Sequence, residues 1–449
     1  MTAVRGRLED RALAVMSAPG KGYLLVVGIL CAIVAWGVYA YSVQFRDGLV
    51  VTGLRDRILW GFYMSNFVFV IGISYGGTLM SAVLRVTSAD WRRPITRLAE
   101  MVAVIALCIG AIFPIIDIGR PDRFLNVFIY GRWQSPIIWD IIAIFTYLVF
   151  SFLYLFLLMI PDMAILRDRY AGGNSRWRHE LYKFLAIGWN DSPRQKKLLG
   201  WSSMAMAIII IPVAVSVHSV LAFVFSMTLR EGWNSTILGP FFVAGAVYSG
   251  VAAIIIVTAV VRKAYHLEEF ITKQHIVYLG YFLGALSLVM IYANVAEYLT
   301  VGYKLQGEAA FNLTQLTRGQ LAPFFWFYII GGLLLPGVII LIPWTRNVWG
   351  IVLASVLVVL AMGAERYYII VSALRVPQMP YEASVYAPTW VEISVVVGSF
   401  ALFGLLVAVF LKLFPIISIW EVAEQHEPPS EDQSESPLLV QRILGGGGS

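Results

Sequence analysis

Charged residues are scarce in this sequence, and cysteine is nearly missing. Asp, Glu, Lys and Arg make up 13% of the 449 residues and hydrophobic residues 59%, whereas a soluble globular protein carries about 25% charged residues. The two cysteines, Cys31 and Cys108, both fall in apolar stretches, so they offer no ligand set for an iron–sulfur cluster and no attachment site for a covalent haem. We therefore exclude a soluble enzyme and expect no iron–sulfur cluster in this chain.

Long apolar runs recur instead, each about as long as the roughly 20 residues that a helix needs to cross a bilayer. They predict an all-α, polytopic membrane protein whose first run is a retained span and not a signal peptide. The ten predicted spans lie near residues 22–43, 60–84, 96–116, 136–160, 200–228, 239–261, 275–302, 324–343, 348–374 and 389–414.

Basic residues are concentrated on one side of the predicted membrane. About two thirds of the 33 lysines and arginines fall in the N-terminal segment and in every second connection after it. The positive-inside rule then places both termini in the cytoplasm. This use of the basic residues also accounts for the net charge of +6, and we expect no binding to nucleic acid.

A short internal repeat suggests how the spans are grouped. Gly61-Phe62-Tyr63 opens the second span and Gly239-Pro240-Phe241 the sixth, and both spans end at an arginine that an Ile-Thr-basic triplet follows. The repeat predicts two four-helix bundles of the same orientation, flanked by two peripheral spans. The predicted segments are a cytoplasmic N-terminus (1–21), a first peripheral span with its outer loop (22–59), the two bundles (60–228 and 229–374), a last peripheral span (375–414) and a disordered cytoplasmic tail (415–449).

Ionisable residues in the outer half of the first bundle are the strongest functional signal, because such groups are costly in a membrane. Asp117 and Arg120 end the third span, Asp140 begins the fourth, and His218 lies two thirds along the fifth. Imidazole and a buried carboxylate suit proton transfer from the hydroxyls of a quinol. We expect His218 to accept a proton, Asp140 to orient or relay it, and the pair of Asp117 and Arg120 to pass it outward.

Each of these residues also has a plainer interpretation. Asp140 follows Ser135 and Pro136 and could merely answer a helix dipole, His218 could be a packing residue, and the stretch from Arg120 to Arg123 could bind lipid phosphates. A haem b would need a second histidine at the depth of His218, and the other four lie near the cytoplasmic edge or in the tail. We therefore expect no haem.

Two further sets of residues complete the predicted site. Ser74, Tyr75 and Gly76 could admit a quinone ring or tail to the backbone of the second span, although paired glycines are also typical of helix packing. A proton path is predicted from residues of the rim and of the second bundle, where Glu365 and Arg366 could instead form a buried ion pair that fixes helix register. These path residues are Asp122, Arg123, Glu297, Glu365, Arg366 and Tyr248.

Three motifs resemble the NrfD/PsrC family of haem-free membrane subunits. They are Asp117-Ile-Gly-Arg-Pro-Asp-Arg123, Ser135-Pro-Ile-Ile-Trp-Asp140 and the segment from His218 to Phe242. Within the family, the sequence is most similar to the quinol-binding subunit of bacterial alternative complex III. The resemblance covers roughly residues 20–415 and implies that Asp117, Arg120, Asp140 and His218 are site residues.

The resemblance also implies a setting. It indicates a multi-pass protein of the bacterial inner membrane that oxidises menaquinol near the periplasmic face, in a respiratory or photosynthetic complex. Its implied partners are an iron–sulfur subunit on the periplasmic side, c-type cytochrome subunits and a second, homologous NrfD-like membrane subunit. The alternatives are the membrane anchor of a polysulfide-type molybdenum reductase, a secondary transporter and a purely structural scaffold.

Overall fold

Ten long helices dominate the part of the chain that the structure describes and confirm the all-α, polytopic prediction. The structure is a computed structural model that describes residue 6 and residues 15–16, 20–172, 175–379 and 382–421. Each of the ten helices is long and apolar enough to span a membrane. They are α1 (Lys21–Asp47), α2 (Phe62–Val86), α3 (Arg93–Asp117), α4 (Pro136–Tyr170), α5 (Pro193–Ser226), α6 (Leu238–Ala264), α7 (Lys273–Lys304), α8 (Ala322–Leu341), α9 (Val348–Arg375) and α10 (Trp390–Leu413).

Local sequence signals explain several helix boundaries. Proline occupies the first position of α4 and α5, where its fixed φ suits a helix and its missing N–H costs nothing. Thr389 and Glu392 form a capping box at the start of α10. Gly48 ends α1 with a φ of 80°, which glycine adopts without strain.

The helices α2 and α6 lie at the centre of the protein. In their most apolar windows, 78% of the residues of α2 and 67% of those of α6 are buried, against 11% in α1. Gly76 and Gly250 allow the two helices to cross closely, since a Cβ built on Gly76 would lie 2.6 Å from the Cα of Gly250. Around this crossing, α3 and α5 pack on α2, α4 packs on α5, and α7 and α9 pack on α6.

The first and last spans form a pair on the outside of these helices. Gly37 of α1 meets Gly398 of α10, with a built Cβ only 3.0 Å from the opposite Cα, and the Tyr23 hydroxyl donates to the Ala408 carbonyl (3.0 Å). Within this pair, α10 packs against α2 and α3. These contacts pair α1 with α10. The division of the other spans into two bundles, with the predicted boundaries, stays a prediction.

A π-helical segment, Phe327–Leu334, interrupts α8 and was not predicted. π-Helical turns displace backbone carbonyls from their usual partners and often occur at functional sites. Here the hydroxyl of Tyr248 donates to the Gly332 carbonyl (2.8 Å) and that of Ser287 to the Leu333 carbonyl (2.9 Å). The two neighbouring helices thus stabilise the irregular segment.

The chain after α10 folds back against the first bundle instead of leaving it. Asp162 of α4 is buried, forms an ion pair with Arg97, and accepts hydrogen bonds from the backbone N–H groups of Ile419 (3.2 Å) and Trp420 (3.1 Å). The predicted start of the disordered tail at residue 415 is therefore wrong, because residues 415–421 are packed. The rest of the predicted tail and most of the predicted N-terminal segment lie outside the described residues.

Candidate functional site

His218 of α5 and Tyr75 of α2 meet inside the first bundle. Their ring centroids are 4.4 Å apart, and the side chains are only 1% and 0% exposed. Within the described parts of the chain, neither nitrogen of His218 nor the Tyr75 hydroxyl has a hydrogen-bond partner. A buried polar group left unpaired costs about 1–3 kcal/mol. Three such atoms side by side are therefore what a site for a polar ligand would contain.

Small residues bring the two rings together. Ala214 and Ala222 lie one turn before and one turn after His218 on the same face of α5, and both are fully buried. Because neither fills the space around the imidazole, α5 can pack directly on α2. The sequence thus positions the histidine between helices and away from lipid.

A polar stripe runs from this pair along the facing sides of α2 and α4. Its members recur every three or four residues, which places them on one face of each helix. The Tyr147 hydroxyl lies 3.2 Å from that of Ser74 and donates to Thr78 (2.9 Å). The stripe comprises Ser74, Thr78, Ser81 and Arg85 on α2 and Tyr147, Ser151 and Tyr154 on α4. Sequence reasoning missed it, although its helical period was visible.

The end of the stripe that lies farther from His218 carries charge. The Ser81 hydroxyl donates to Glu100 of α3 (2.6 Å), which is buried. One turn further along α2, Arg85 donates to the Tyr154 hydroxyl (3.2 Å) and to Glu421 (2.5 Å). Neither Glu100 nor Glu421 was predicted as a functional residue.

Asp140 lies at the opposite end of the same stripe, away from Arg85. It is buried, and its Oδ1 has no hydrogen-bond partner in the described structure. Asp140 precedes Tyr147 by seven residues, which is two turns or about 10 Å along α4. Asp140 and Tyr147 therefore lie on the same face of α4. Tyr147 contacts Ser74 of α2, the residue next to Tyr75.

The second bundle contributes Arg366 and Glu365 of α9. Both are at most 2% exposed and form an ion pair of 3.3 Å, as the plainer interpretation predicted. The Arg366 guanidinium also lies 4.4 Å over the Phe242 ring and is close enough to His218 to interact with it electrostatically. Oε2 of Glu365 has no hydrogen-bond partner among the residues described. The candidate site therefore reaches across both bundles.

Two tyrosines lie beyond Glu365 near the ends of α7 and α9; Tyr368 is buried and Tyr298 is partly buried. The hydroxyls of Tyr298 and Tyr368 are 3.3 Å apart, and both residues line a cavity that also includes Glu297. Glu297 accepts a hydrogen bond from Ser235 (2.5 Å). Tyr248, by contrast, has its hydroxyl committed to the π-helical segment of α8.

Three of the residues predicted at the rim, Arg120, Asp122 and Arg123, are exposed. Gly119, with a φ of 70°, ends α3 and turns Arg120 into the loop, where it donates to Asp122 (3.1 and 3.0 Å) and not to Asp117. The predicted Asp117 and Arg120 pair is therefore wrong. These hydrogen bonds lower the pKa of Asp122, so this exposed carboxylate is not suited to exchange protons near neutral pH.

The surroundings of Asp117 and Gly76 differ from those predicted. Asp117 interacts electrostatically with Glu392 of α10. Both acids lie near Tyr63, whose hydroxyl donates to Gln44 (2.6 Å). Gly76 packs against the backbone of α6, so the space that we expected for a ring is filled. The plainer interpretation, helix packing, holds for this glycine.

Together these features define a multi-pass integral membrane protein with a buried histidine in its fifth span. The chain belongs to the family described as polysulphide reductase, NrfD, whose model matches residues 50–378. The predicted family is thereby confirmed.

Several relatives match over nearly the full chain. The integral membrane subunit of the Hdr-like menaquinol oxidoreductase of Archaeoglobus fulgidus is 27% identical, over 90% of this chain and 96% of that protein. A subunit of the selenate reductase of Mesobacillus selenatarsenatis is 25% identical, over 92% and 98%. The integral membrane subunit of the menaquinone reductase of Nitratidesulfovibrio vulgaris is 22% identical, over 88% and 92%. All three are named as parts of redox enzymes.

Proposed function

We propose that this chain is the quinone-reactive membrane subunit of a multi-subunit electron-transfer complex and that it oxidises menaquinol beside His218. The observation that carries the proposal is the pair of His218 and Tyr75, whose polar atoms are buried without hydrogen-bond partners among the described residues. The names of two relatives support the substrate, since one is a menaquinol oxidoreductase and the other a menaquinone reductase.

The chemistry of a quinol matches these groups. Oxidation of its two hydroxyls to carbonyls releases two protons and two electrons. A free nitrogen of His218 can accept a proton from one hydroxyl, while the Tyr75 hydroxyl can donate a hydrogen bond to the oxygen of that group and hold the ring in place. Asp140, also buried with an unpaired oxygen, is a second proton acceptor toward the outer surface.

The released charges take separate routes. The electrons pass to an iron–sulfur subunit on the periplasmic side. For the protons we propose an outward route through the second bundle, from Arg366 and Glu365 past Tyr298 and Tyr368 to the cavity at Glu297. The short tyrosine contact and the cavity support this route. If the polar stripe of α2 and α4 supplied protons from the cytoplasmic side, quinol oxidation would be coupled to proton translocation.

The setting remains as the resemblance implies. We propose a place in the bacterial inner membrane with both termini cytoplasmic, in a complex that also contains c-type cytochrome subunits and a homologous NrfD-like subunit. Within the family, the chain would correspond to the quinol-binding subunit of alternative complex III. The opposite direction, reduction of menaquinone, is the second candidate, and the relative named as a menaquinone reductase favours it. In that case the same residues would deliver protons.

The test is turnover of the assembled complex with reduced and with oxidised menaquinone. His218→Asn should lower quinol oxidation by roughly 10²–10⁴-fold, as expected for loss of a general base, and Asp140→Asn should lower it less. His266→Asn is the matched control, because His266 is exposed and its φ of 51° suits asparagine. Unchanged turnover in an intact His218→Asn complex would refute the proposal, and faster quinone reduction than quinol oxidation would favour the second candidate.

A further inference from the structure

A second cavity lies at the opposite end of the first bundle, away from Asp140. Its volume is about 810 Å³, within the range of small-molecule sites. The inner ends of α2 and α3 line it together with α4, α5 and the chain segment after α10. Its basic and acidic lining residues are Arg85, Arg92, Arg93, Arg167, Lys196, Asp90, Asp168, Asp191 and Glu421.

Most of these charges form ion pairs with a neighbouring residue, and only Arg85, Arg92 and Glu421 are left after those pairs are counted. Arg167 pairs with Asp168 (2.7 Å) and Lys196 with Asp191 (3.1 Å). Arg93 pairs with Asp90 (3.2 Å). The buried side chains of Arg85 and Arg92 then share one carboxylate, that of Glu421, at 2.5 and 3.6 Å.

Glu421 is ionised and pairs with both Arg85 and Arg92. The residues that line the cavity therefore carry an excess of one positive charge. Burial by itself would raise the pKa of Glu421, but the guanidinium groups of Arg85 and Arg92 outweigh it and hold this pKa below its usual range. One carboxylate cannot neutralise two guanidinium groups. An unpaired charge with little access to water is costly, and an anion would relieve that cost.

Arg92 has the hydrogen-bond donors that such an anion needs. Its side chain is 12% exposed, and its Nε and Nη1 have no hydrogen-bond partner in the part of the chain that the structure describes. Such guanidinium N–H groups form charge-assisted hydrogen bonds with the oxygens of a phosphate or carboxylate group.

One part of the remaining lining is apolar and points to a lipid. Ile165 of α4 and Leu199 and Met204 of α5 line the same cavity, beside the indoles of Trp189 and Trp420. The cavity adjoins the ends of membrane-spanning helices, which is the depth of lipid headgroups. A ligand with a phosphate at one end and hydrocarbon at the other fits both parts of the lining.

We propose that this cavity binds the phosphate group of an anionic phospholipid, with Arg92 as its principal ligand and Arg85 as a second positive charge. Free phosphate shares the same recognition chemistry, but it would leave the apolar wall uncovered. The inference does not rest on the quinol site, because neither His218 nor Tyr75 lines the cavity; of the polar stripe, only Arg85 lines it.

The test is binding to the purified, assembled complex, followed by native mass spectrometry and thermal unfolding. The probes are phosphatidylglycerol, zwitterionic phosphatidylcholine and inorganic phosphate. Phosphatidylglycerol should bind and raise the unfolding temperature, and Arg92→Gln should weaken its binding roughly tenfold or more, as for a lost charge-assisted hydrogen bond. Lys196→Gln is the matched control, since it removes a charge from the same cavity that Asp191 already neutralises.

Each outcome decides the matter. Equal binding of phosphatidylglycerol by the wild type and Arg92→Gln would overturn the proposal, as would equal weakening by Lys196→Gln. Stabilisation by inorganic phosphate alone would support the phosphate site but overturn the lipid assignment. If Arg92→Gln fails to assemble, Arg92→Lys keeps the charge but removes the Nε–H donor and should still bind several-fold more weakly. Quinol turnover of these variants should stay near that of the wild type.

Discussion

The crossing of α2 and α6 at Gly76 and Gly250 offers a sharp test of the fold around the site. In Gly76→Ala the new methyl carbon would lie 2.6 Å from the Cα of Gly250 and 2.8 Å from the Ala246 carbonyl oxygen. Ordinary contacts between carbon atoms are about 3.5–4.0 Å. Both obstacles are backbone atoms, so the two helices must separate by about 1 Å.

The expected cost follows from this geometry. Overpacking of a well-packed interior typically costs about 1–3 kcal/mol, and alanine recovers part of this through its better helix propensity. Because Tyr75 is the adjacent residue, a shift of α2 should also displace the Tyr75 ring from His218. We therefore expect a lower unfolding temperature together with slower quinol turnover.

The matched control is Gly363→Ala in α9. This glycine is also helical, but the nearest atoms to a built Cβ belong to the Phe69 ring and lie 4.0 Å away. The assays are thermal unfolding of the purified complex and steady-state quinol oxidation. If Gly76→Ala proves as stable and as active as Gly363→Ala, the close helix crossing and its link to Tyr75 are refuted.

Two further predictions concern the segment after α10. Because the pKa of Glu421 is held below its ordinary value of 4.5, its contribution to stability is present above pH 4.5 and lost as the pH falls through the lowered value. Thermal unfolding at about pH 3–6 should show this acid loss in the wild type and not in Glu421→Gln; parallel curves would contradict it. Asp162→Asn should leave the buried Arg97 without a carboxylate partner and lower the free energy of unfolding by roughly 3–5 kcal/mol. Thermal unfolding and protease cleavage near Trp420 would measure this loss, and an unchanged unfolding midpoint would count against the role of Asp162.

Much of the fold was predictable because the membrane imposes it. A helix must satisfy its own backbone in hydrocarbon, so long apolar runs sufficed to find all ten spans. The burial of His218 was also predictable, since an imidazole in the middle of such a run is costly where it faces lipid. The burial of Asp140 and the ion pair of Glu365 with Arg366 followed from similar considerations.

The remaining features depend on contacts between helices, which periodicity alone does not fix. The loop turn at Gly119, which directs Arg120 to Asp122, is set by a single backbone angle. Asp162 seemed to lie beyond the fourth span, but α4 continues to Tyr170 and buries it. The π-helical segment of α8 depends on hydroxyls from two other helices. Such features follow from tertiary packing and are invisible in the local sequence.

The location of the quinone is the central claim, and photolabelling tests it most directly. A photoreactive menaquinone analogue would be irradiated in the assembled complex, and the labelled peptides mapped by mass spectrometry. Labelling should fall around Tyr75 in α2 and His218 in α5, and excess menaquinone should suppress it. Competable labelling confined to other helices, with none on α2 or α5, would contradict the proposed site.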